Sequence, residues 1–478
     1  MNHSIGHAVE RSLVNMSVAI SDINYGLKGY RGYGQVFDIL KNNIITFDDN
    51  DNINESNLTN DEVLNSSINK TLNISVNSLE YKHMIFRDDI GLSSYYKLSF
   101  ILYGYSISSL NKMYFTILFV SVFCFFITFK RNNDLLTILS IVLCAHLAML
   151  SAINTSMQLK VVHNTRVLPV LAIIPSLHLC YILRKLKPFC LLYFITSFIQ
   201  SCIITFIVHI RNVGSYFIIF IILVMIISIL NSKFFELNLG YSKFNKINFN
   251  KIILPLLCIL FSYSLLSGHL ILNKHFIYRN NTAHLFWDMI YKNLGTHSIL
   301  NETYGIKDED YYPHTITKTR LKSNYGIDWE TLTPKKYYFY HEKISRSEII
   351  SIFLKEPFLV IQSFINKPMM FLSTYINSEW GRIRNLFSFP IILFLILIYS
   401  LSTSAYSIMF QNNCFILIFL FCISLIPSIL TAPSFHHISD VSLIFTVLIY
   451  ITLFWFINNY LYSLLIKTFN INLSRINQ

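Results

Sequence analysis

Two adjacent carboxylates, Asp88 and Asp89, stand between Arg87 and Ile90-Gly91 in a chain otherwise poor in charge. Neighbouring acids repel, and an apolar surface beside them favours the protonated form of at least one. A carboxyl placed this way can take the proton from an acceptor hydroxyl, and the pair can bind a divalent cation that bridges phosphates. The same two acids, just before Leu92–Ser106, would also serve as a helix N-terminal cap, where negative charge suits the dipole. Both roles are open on the residues alone.

Cationic and imidazole groups supply the complement. Arg31, Arg87, Arg279, His284, Arg382, Arg384, His436 and His437 form the set that could hold a diphosphate. Arginine suits such a ligand because its planar fork meets phosphate oxygens two at a time. Arg382 and Arg384 would equally anchor lipid headgroups, and His436-His437, near Asp440, would equally make a polar turn. No metal site is expected from histidine or cysteine, and no cofactor beyond a divalent cation at the acid pair. The eight cysteines (Cys124, Cys144, Cys180, Cys190, Cys202, Cys258, Cys414 and Cys422) fall in or beside apolar blocks with no CxxC spacing. They read as small buried hydrophobes. His146, His178, His209 and His269 lie in or near apolar runs without an acid and read as packed side chains.

The elements that must position these groups are dictated by where acids are missing. No carboxylate occurs between Asp134 and Glu236, or between Glu379 and Asp440. An acid at mid-bilayer costs roughly 2.5–3.5 kcal/mol even on the gentlest scale. Hydrophobic residues make up 53% and charged residues 13% of the 478, against roughly a quarter charged in soluble domains. Runs near the ~20 residues needed to span hydrocarbon are Met113–Phe129, Leu135–Ala152, Val167–Leu183, Phe189–His209, Tyr216–Leu230, Ile252–Leu272, Phe387–Phe410, Cys414–Ile429 and Val441–Ile466. The predicted fold is an all-α polytopic transmembrane bundle of about nine spans, in the cell membrane.

Charge sets the orientation. Lys130, Arg131, Arg184, Lys185, Lys187, Lys233, Lys243, Lys246, Lys251, Lys467 and Arg475 fall on one side, and Lys160, Arg166 and Arg211 on the other. The positive-inside rule makes the first set cytoplasmic. Residues 1–112 then form an external N-terminal region, 113–272 a six-span bundle, 273–386 a long external loop, 387–466 a three-span bundle and 467–478 a cytoplasmic tail. Since Met1–Leu40 shows no signal-peptide pattern, export of the N-terminal region calls for a span upstream of this chain, the alternative being an inverted orientation; the breadth of the charge asymmetry favours the upstream span. The formal charge of +12 is scattered over loops, which argues against nucleic acid as a partner.

Within the polar regions, Asp48–Ser78 is rich in Asn, Asp and Ser and reads as an open, poorly packed insertion. Leu92–Ser106 is expected to be an interfacial helix with Tyr95, Leu98, Ile101 and Leu102 on one face. In the long loop, Ser345-Arg346-Ser347-Glu348 has the form of a capping box starting a helix. Ile349, Ile350, Phe353 and Leu354 would then share a face, with breaks at Pro357 and Pro368. Short helices packed over the outer membrane face are expected there.

No P-loop, Rossmann glycine fingerprint, HExxH or GxSxG elbow occurs in usable context, which leaves a nucleotide-driven pump without support. The layout resembles the GT-C class of membrane glycosyltransferases, on the strength of Arg87-Asp88-Asp89 followed by Leu92–Ser106. His284–Gly295 and Tyr304–Asp310 are also similar to multi-pass proteins associated with bacterial surface polysaccharide. The resemblance implies a polyprenyl-phosphate-linked sugar as donor, a surface glycan or lipid as acceptor, and membrane lipids as surroundings in a bacterial inner membrane. It implies Asp88 or Asp89 as the base and Arg382 or Arg384 against the lipid phosphate. A glycan polymerase or ligase using Arg and His of the long loop, or a polysaccharide transporter or flippase, is the alternative.

Overall fold

The computed structural model describes residues 2–26, 33–44, 46–47, 53–54, 61–75, 90–152, 167–184, 191–210, 216–226, 249–271, 286–307, 312–332 and 334–366, with Ile444, Val447, Tyr450 and Ile451. The fold is all-α. Beyond helices these residues contain one small antiparallel ladder, Thr46–Phe47 on Ile53–Asn54. The chain forms two compact units, one of Met1–Val142 with Ile153–Leu272, the other of Leu143–Ala152 with Asn273–Gln478.

The first unit begins with α1 (Asn2–Tyr25), α2 (Tyr33–Ile44), α3 (Asp61–Leu72) and α4 (Ile90–Tyr103). It continues with α5 (Ile107–Phe129), α6 (Asn133–Ala152), of which the first half belongs here, and α7 (Ile173–Arg184) after a 3₁₀ turn at Leu168–Ala172. α8 (Leu191–Ile210), α9 (Tyr216–Ile226) and α10 (Phe249–Ile271) complete it. α1 is enclosed on every side from Ser12 to Ser21 by neighbours that include α2 and α4. Lys97 of α4 pairs with Asp22 at 2.6 Å, and Ser93 donates to Asn15 at 3.1 Å.

Two sequence expectations are corrected here. Asp48–Ser78 is not open throughout. Asp61–Leu72 is helical, because Leu64, Ile68 and Thr71 recur at helical spacing and bury against α2 while Asp61 and Glu62 sit in the first turn. Averaged composition hides that single apolar face. In α4 the four side chains expected on one face divide. Tyr95 is buried and donates to the Leu110 carbonyl at 2.6 Å, while Leu98, Ile101 and Leu102 are exposed. The buried arc runs instead through Leu92, Tyr95, Tyr96, Ser99 and Phe100.

Two helices, Ile107–Phe129 and Leu191–Ile210, are long and apolar enough to cross a membrane. At 1.5 Å per residue they measure roughly 34 Å and 30 Å, against a hydrocarbon core of about 30 Å. Other expected spans appear as shorter apolar helices at Leu135–Leu150, Leu168–Ile182, Tyr216–Ile226 and Pro255–Leu266. Phe387–Phe410, Cys414–Ile429 and nearly all of Val441–Ile466 lie outside the described residues.

α5 is apolar on both its buried and its exposed side, with Ile117, Leu118, Phe125 and Phe129 inside, whereas α8 buries mainly polar residues, Thr196, Ser197, Gln200, Ser201 and Thr205. Phe115, Phe119, Phe123 and Phe126 point outward from α5, and Leu191, Leu192, Phe194 and Ile195 from α8. Inside, Ser121 donates to Gln200 Oε1 at 3.1 Å while Gln200 Nε2 donates to the Ser121 carbonyl at 2.8 Å. Thr128 donates to Thr196 at 3.0 Å. His178 packs by its edge on Phe129, with ring centroids 5.3 Å apart.

The second unit is built on α11 (Phe286–Leu294), α12 (Ser298–Tyr304), α13 (Tyr312–Tyr325), α14 (Pro334–Lys355) and α15 (Pro357–Asn366). Ile290, Tyr291, Leu294, Leu300, Ile306, Ile349, Ile352 and Val360 make its larger core. Leu321, Tyr337 and Ile344 make a second. α13 stops at Gly326, whose φ of 64° places it in the left-handed region. Gly326 N–H donates to Lys322 and Ile327 N–H to Leu321, which satisfies the last carbonyls.

The expected capping box is also corrected. The helix starts at Pro334, and Ser345 is buried in its middle. Ser347 bonds back to the Ile344 carbonyl, and Glu348 pairs with Arg320 at 2.7 Å. The earlier start escapes notice because its buried positions are Tyr337, His341, Ile344 and Ser345, only one of them aliphatic. The break near Pro357 is present: the helix is interrupted at Glu356 and resumes at Pro357.

Candidate functional site

All ten residues nominated from the sequence (Arg31, Arg87, Asp88, Asp89, Arg279, His284, Arg382, Arg384, His436 and His437) lie outside the described residues. What is described beside the acid pair is the helix that follows it. α4 crosses the end of α8 so closely at Gly91 that a Cβ there would sit 2.2 Å from the His209 carbonyl carbon. Only glycine permits that approach, and it fixes the level at which α4 starts.

The chemistry-bearing groups that the described residues bring together are in the second unit. Asp288 opens α11, His314 and Thr317 lie one turn apart on α13, and Tyr337 and His341 lie one turn apart on α14. His341, with no exposed surface, bonds through Nε2 to Asp288 Oδ1 at 2.9 Å and through Nδ1 to Thr317 Oγ1 at 2.5 Å. The His314 ring stacks on it at 4.3 Å and bonds through Nδ1 to the Tyr337 hydroxyl at 2.9 Å. Glu342 accepts from the Trp287 and Asp288 backbone N–H groups at 3.2 and 3.3 Å, closing the free N-terminus of α11.

An Asp–His–Thr line has the groups of a nucleophile relay, but enclosure decides its role. Thr317 is as buried as His341, so no substrate atom reaches either, and the line joins α11, α13 and α14. Burial pushes the Tyr291 hydroxyl upward, Glu348 and Tyr312 add to the shift, and Arg320 opposes it. Burial first, then Glu348, also raises Tyr312. Both phenols stay protonated and neutral through the physiological range.

Reactive potential lies at the edge of this hub. Arg346 rests over the Trp287 ring at 5.5 Å, Lys318 over Trp329 at 3.8 Å and Lys343 over Tyr325 at 5.6 Å. A guanidinium laid on an indole is held in place by the ring quadrupole while its in-plane N–H groups face outward. Trp287 packs on the core beneath Arg346, while Trp329 is partly exposed with Lys318 over its ring.

Of these groups the sequence brought out Arg346 only, within the capping box. The His314-x-x-Thr317 and Tyr337-x-x-x-His341 spacings are the signal that could have paired the histidines, since both put two polar groups on one helix face. Among the described residues no group of three or more His, Cys, Asp or Glu could hold a metal ion. No family model, curated protein or solved structure matches the chain.

Proposed function

We propose that the chain is a multi-pass protein of the bacterial inner membrane. In this reading it moves a sugar from a polyprenyl-phosphate donor to a surface-glycan or lipid acceptor on the outer face. Asp88 or Asp89 takes the acceptor proton, and Arg382 or Arg384 meets the lipid phosphate as it leaves. The observation that supports the membrane part most directly is the exposed apolar side of α5 and α8, with Phe115, Phe119, Phe123 and Phe126 of α5 and Leu191, Phe194 and Ile195 of α8 facing outward while hydroxyls and an amide pair between the two helices. In water those outward rings would cost about 25 cal/mol per Å² exposed; in lipid they cost nothing. A lipid-borne donor also fits a sequence without a nucleotide-binding motif.

The aromatic–cation edge of the second unit favours a second reading, a glycan polymerase or ligase whose working groups are those of the loop. One set of strains separates the two. Asp88→Asn, Asp89→Asn and the double substitution are compared with Arg346→Ala for surface-glycan profile at matched protein level. The transferase reading expects loss in the double acid variant. An unchanged profile there, with loss in Arg346→Ala, discards it in favour of the loop chemistry.

A further inference from the structure

From Ile349 to Asn366, α14 and α15 present three distinct faces. One is buried against the second unit's core and carries Ile349, Ile352, Val360 and Ser363. A second is apolar and exposed: Ile350, Phe353, Leu354, Phe358, Ile361 and Ile365, with Leu354 at 76% and Phe358 at 83% exposure. The third is polar and exposed, with Ser351, Lys355, Gln362 and Asn366. The interruption at Glu356 does not break the phase, because Glu356 N–H bonds to Ile352 and Val360 N–H to Glu356. The faces therefore run continuously across Pro357.

We infer that the apolar face is a lipid-contact stripe, with the helix pair lying in the plane of the bilayer–water boundary. A helix that meets only protein and water needs two faces; a third, apolar one calls for a third surrounding phase. Charge agrees with anionic headgroups as that phase. No acid lies within the apolar arc, and Lys355 stands beside it on the polar arc. The chain's own continuation agrees too, since residues 367–386 alone separate Asn366 from the apolar run Phe387–Phe410. The inference rests on the membrane part of the proposed function and not on its chemistry.

The test places the photoreactive amino acid p-benzoylphenylalanine in the full chain, reconstituted in vesicles of phosphatidylethanolamine and phosphatidylglycerol. It is introduced singly at Phe358, Leu354, Lys355, Asn366 and, as a reference in α5, Phe119. Illumination should give lipid adducts at Phe358 and Leu354 in several-fold excess over Lys355 and Asn366. Adducts at Phe119 but none at Phe358 and Leu354 would overturn the stripe and leave the membrane reading intact; absence at all three would overturn both. A crosslinked dimer or adducts to another protein at Phe358, in place of lipid, would also refute it.

Discussion

Replacing Gly91 by alanine tests the helix crossing on which the position of α4 depends. The added Cβ would lie 2.2 Å from the His209 carbonyl carbon, and 2.4 Å from both the His209 oxygen and the Ile210 nitrogen. All three are backbone atoms, so no side chain can rotate aside. Relief requires the two helices to part by about 1.2 Å, which forfeits dispersion contacts along the whole crossing. Overpacking of this kind costs about 1–3 kcal/mol, while alanine's better helix propensity returns about 1 kcal/mol. The net loss is up to about 2 kcal/mol, or a fall of up to roughly 8 °C in the thermal midpoint at about 2–4 °C per kcal/mol. Helical circular dichroism of the purified chain in one detergent measures it. If the acid pair just upstream is the base, a 1 Å displacement also lowers turnover by about 10²-fold. A midpoint for Gly91→Ala above that of the parent would refute the close crossing.

Two further outcomes follow from the second unit. His341→Ala leaves the buried Asp288 carboxylate and Thr317 hydroxyl without this partner, at about 1–3 kcal/mol each. Hydrogen exchange should accelerate in peptides from α11, α13 and α14 and stay unchanged in α5 and α8; equal exchange everywhere would show that the hub is not structural. Tyr291 has a folded pKa above its unfolded value of about 10, so its contribution is complete below pH 10 and is lost as pH rises toward the folded pKa. Near pH 11–12 the unit should weaken by up to about 1.4 kcal/mol per pH unit. Tyr291→Phe should remove part of that alkaline loss, read as helix content against tyrosinate absorbance; an identical alkaline midpoint would count against it.

How much of this was legible depends on which residues build each core. The apolar run Phe189–His209 marks α8 to within two residues, while Met113–Phe129 finds the end of α5 and misses its first six residues, which include Lys112. α3 escaped because its buried residues Leu64, Ser67, Ile68 and Thr71 include only two aliphatic ones, diluted by Asn and Ser. α14 escaped for a different reason. Its buried face is Tyr337, His341, Ile344, Ser345 and Ile349, and tyrosine, histidine and serine do not announce a core. They can be buried because partners exist: Asp288 and Thr317 for His341, and His314 for Tyr337. Those partners are 23 to 53 residues away in sequence, beyond what local pattern can carry. The acid pair Asp88-Asp89 stood out for the opposite reason, as a dense local charge in a chain that has few.

The placement of polar groups follows one energetic ordering. A hydroxyl or amide retained among apolar helices needs one partner, and such interhelical bonds contribute about 0.6 kcal/mol on average in a bilayer. Ser121 with Gln200 and Thr128 with Thr196 meet that condition. A carboxylate at the same depth would cost several times as much, roughly 2.5–3.5 kcal/mol, and no single hydroxyl offsets it. The described ion pairs obey this division: Lys97 with Asp22, Arg320 with Glu348 and His341 with Asp288 join helices other than α5 and α8. Acid–base chemistry in a chain built this way is confined to its polar segments. Within the second unit the buried Asp288 and Glu342 are already occupied, by His341 and by the N-terminus of α11. Other described acids of that unit, Glu302 and Glu330, are exposed to the surroundings, so a carboxylate base has candidates on its surface as well as in Asp88 and Asp89 of the sequence.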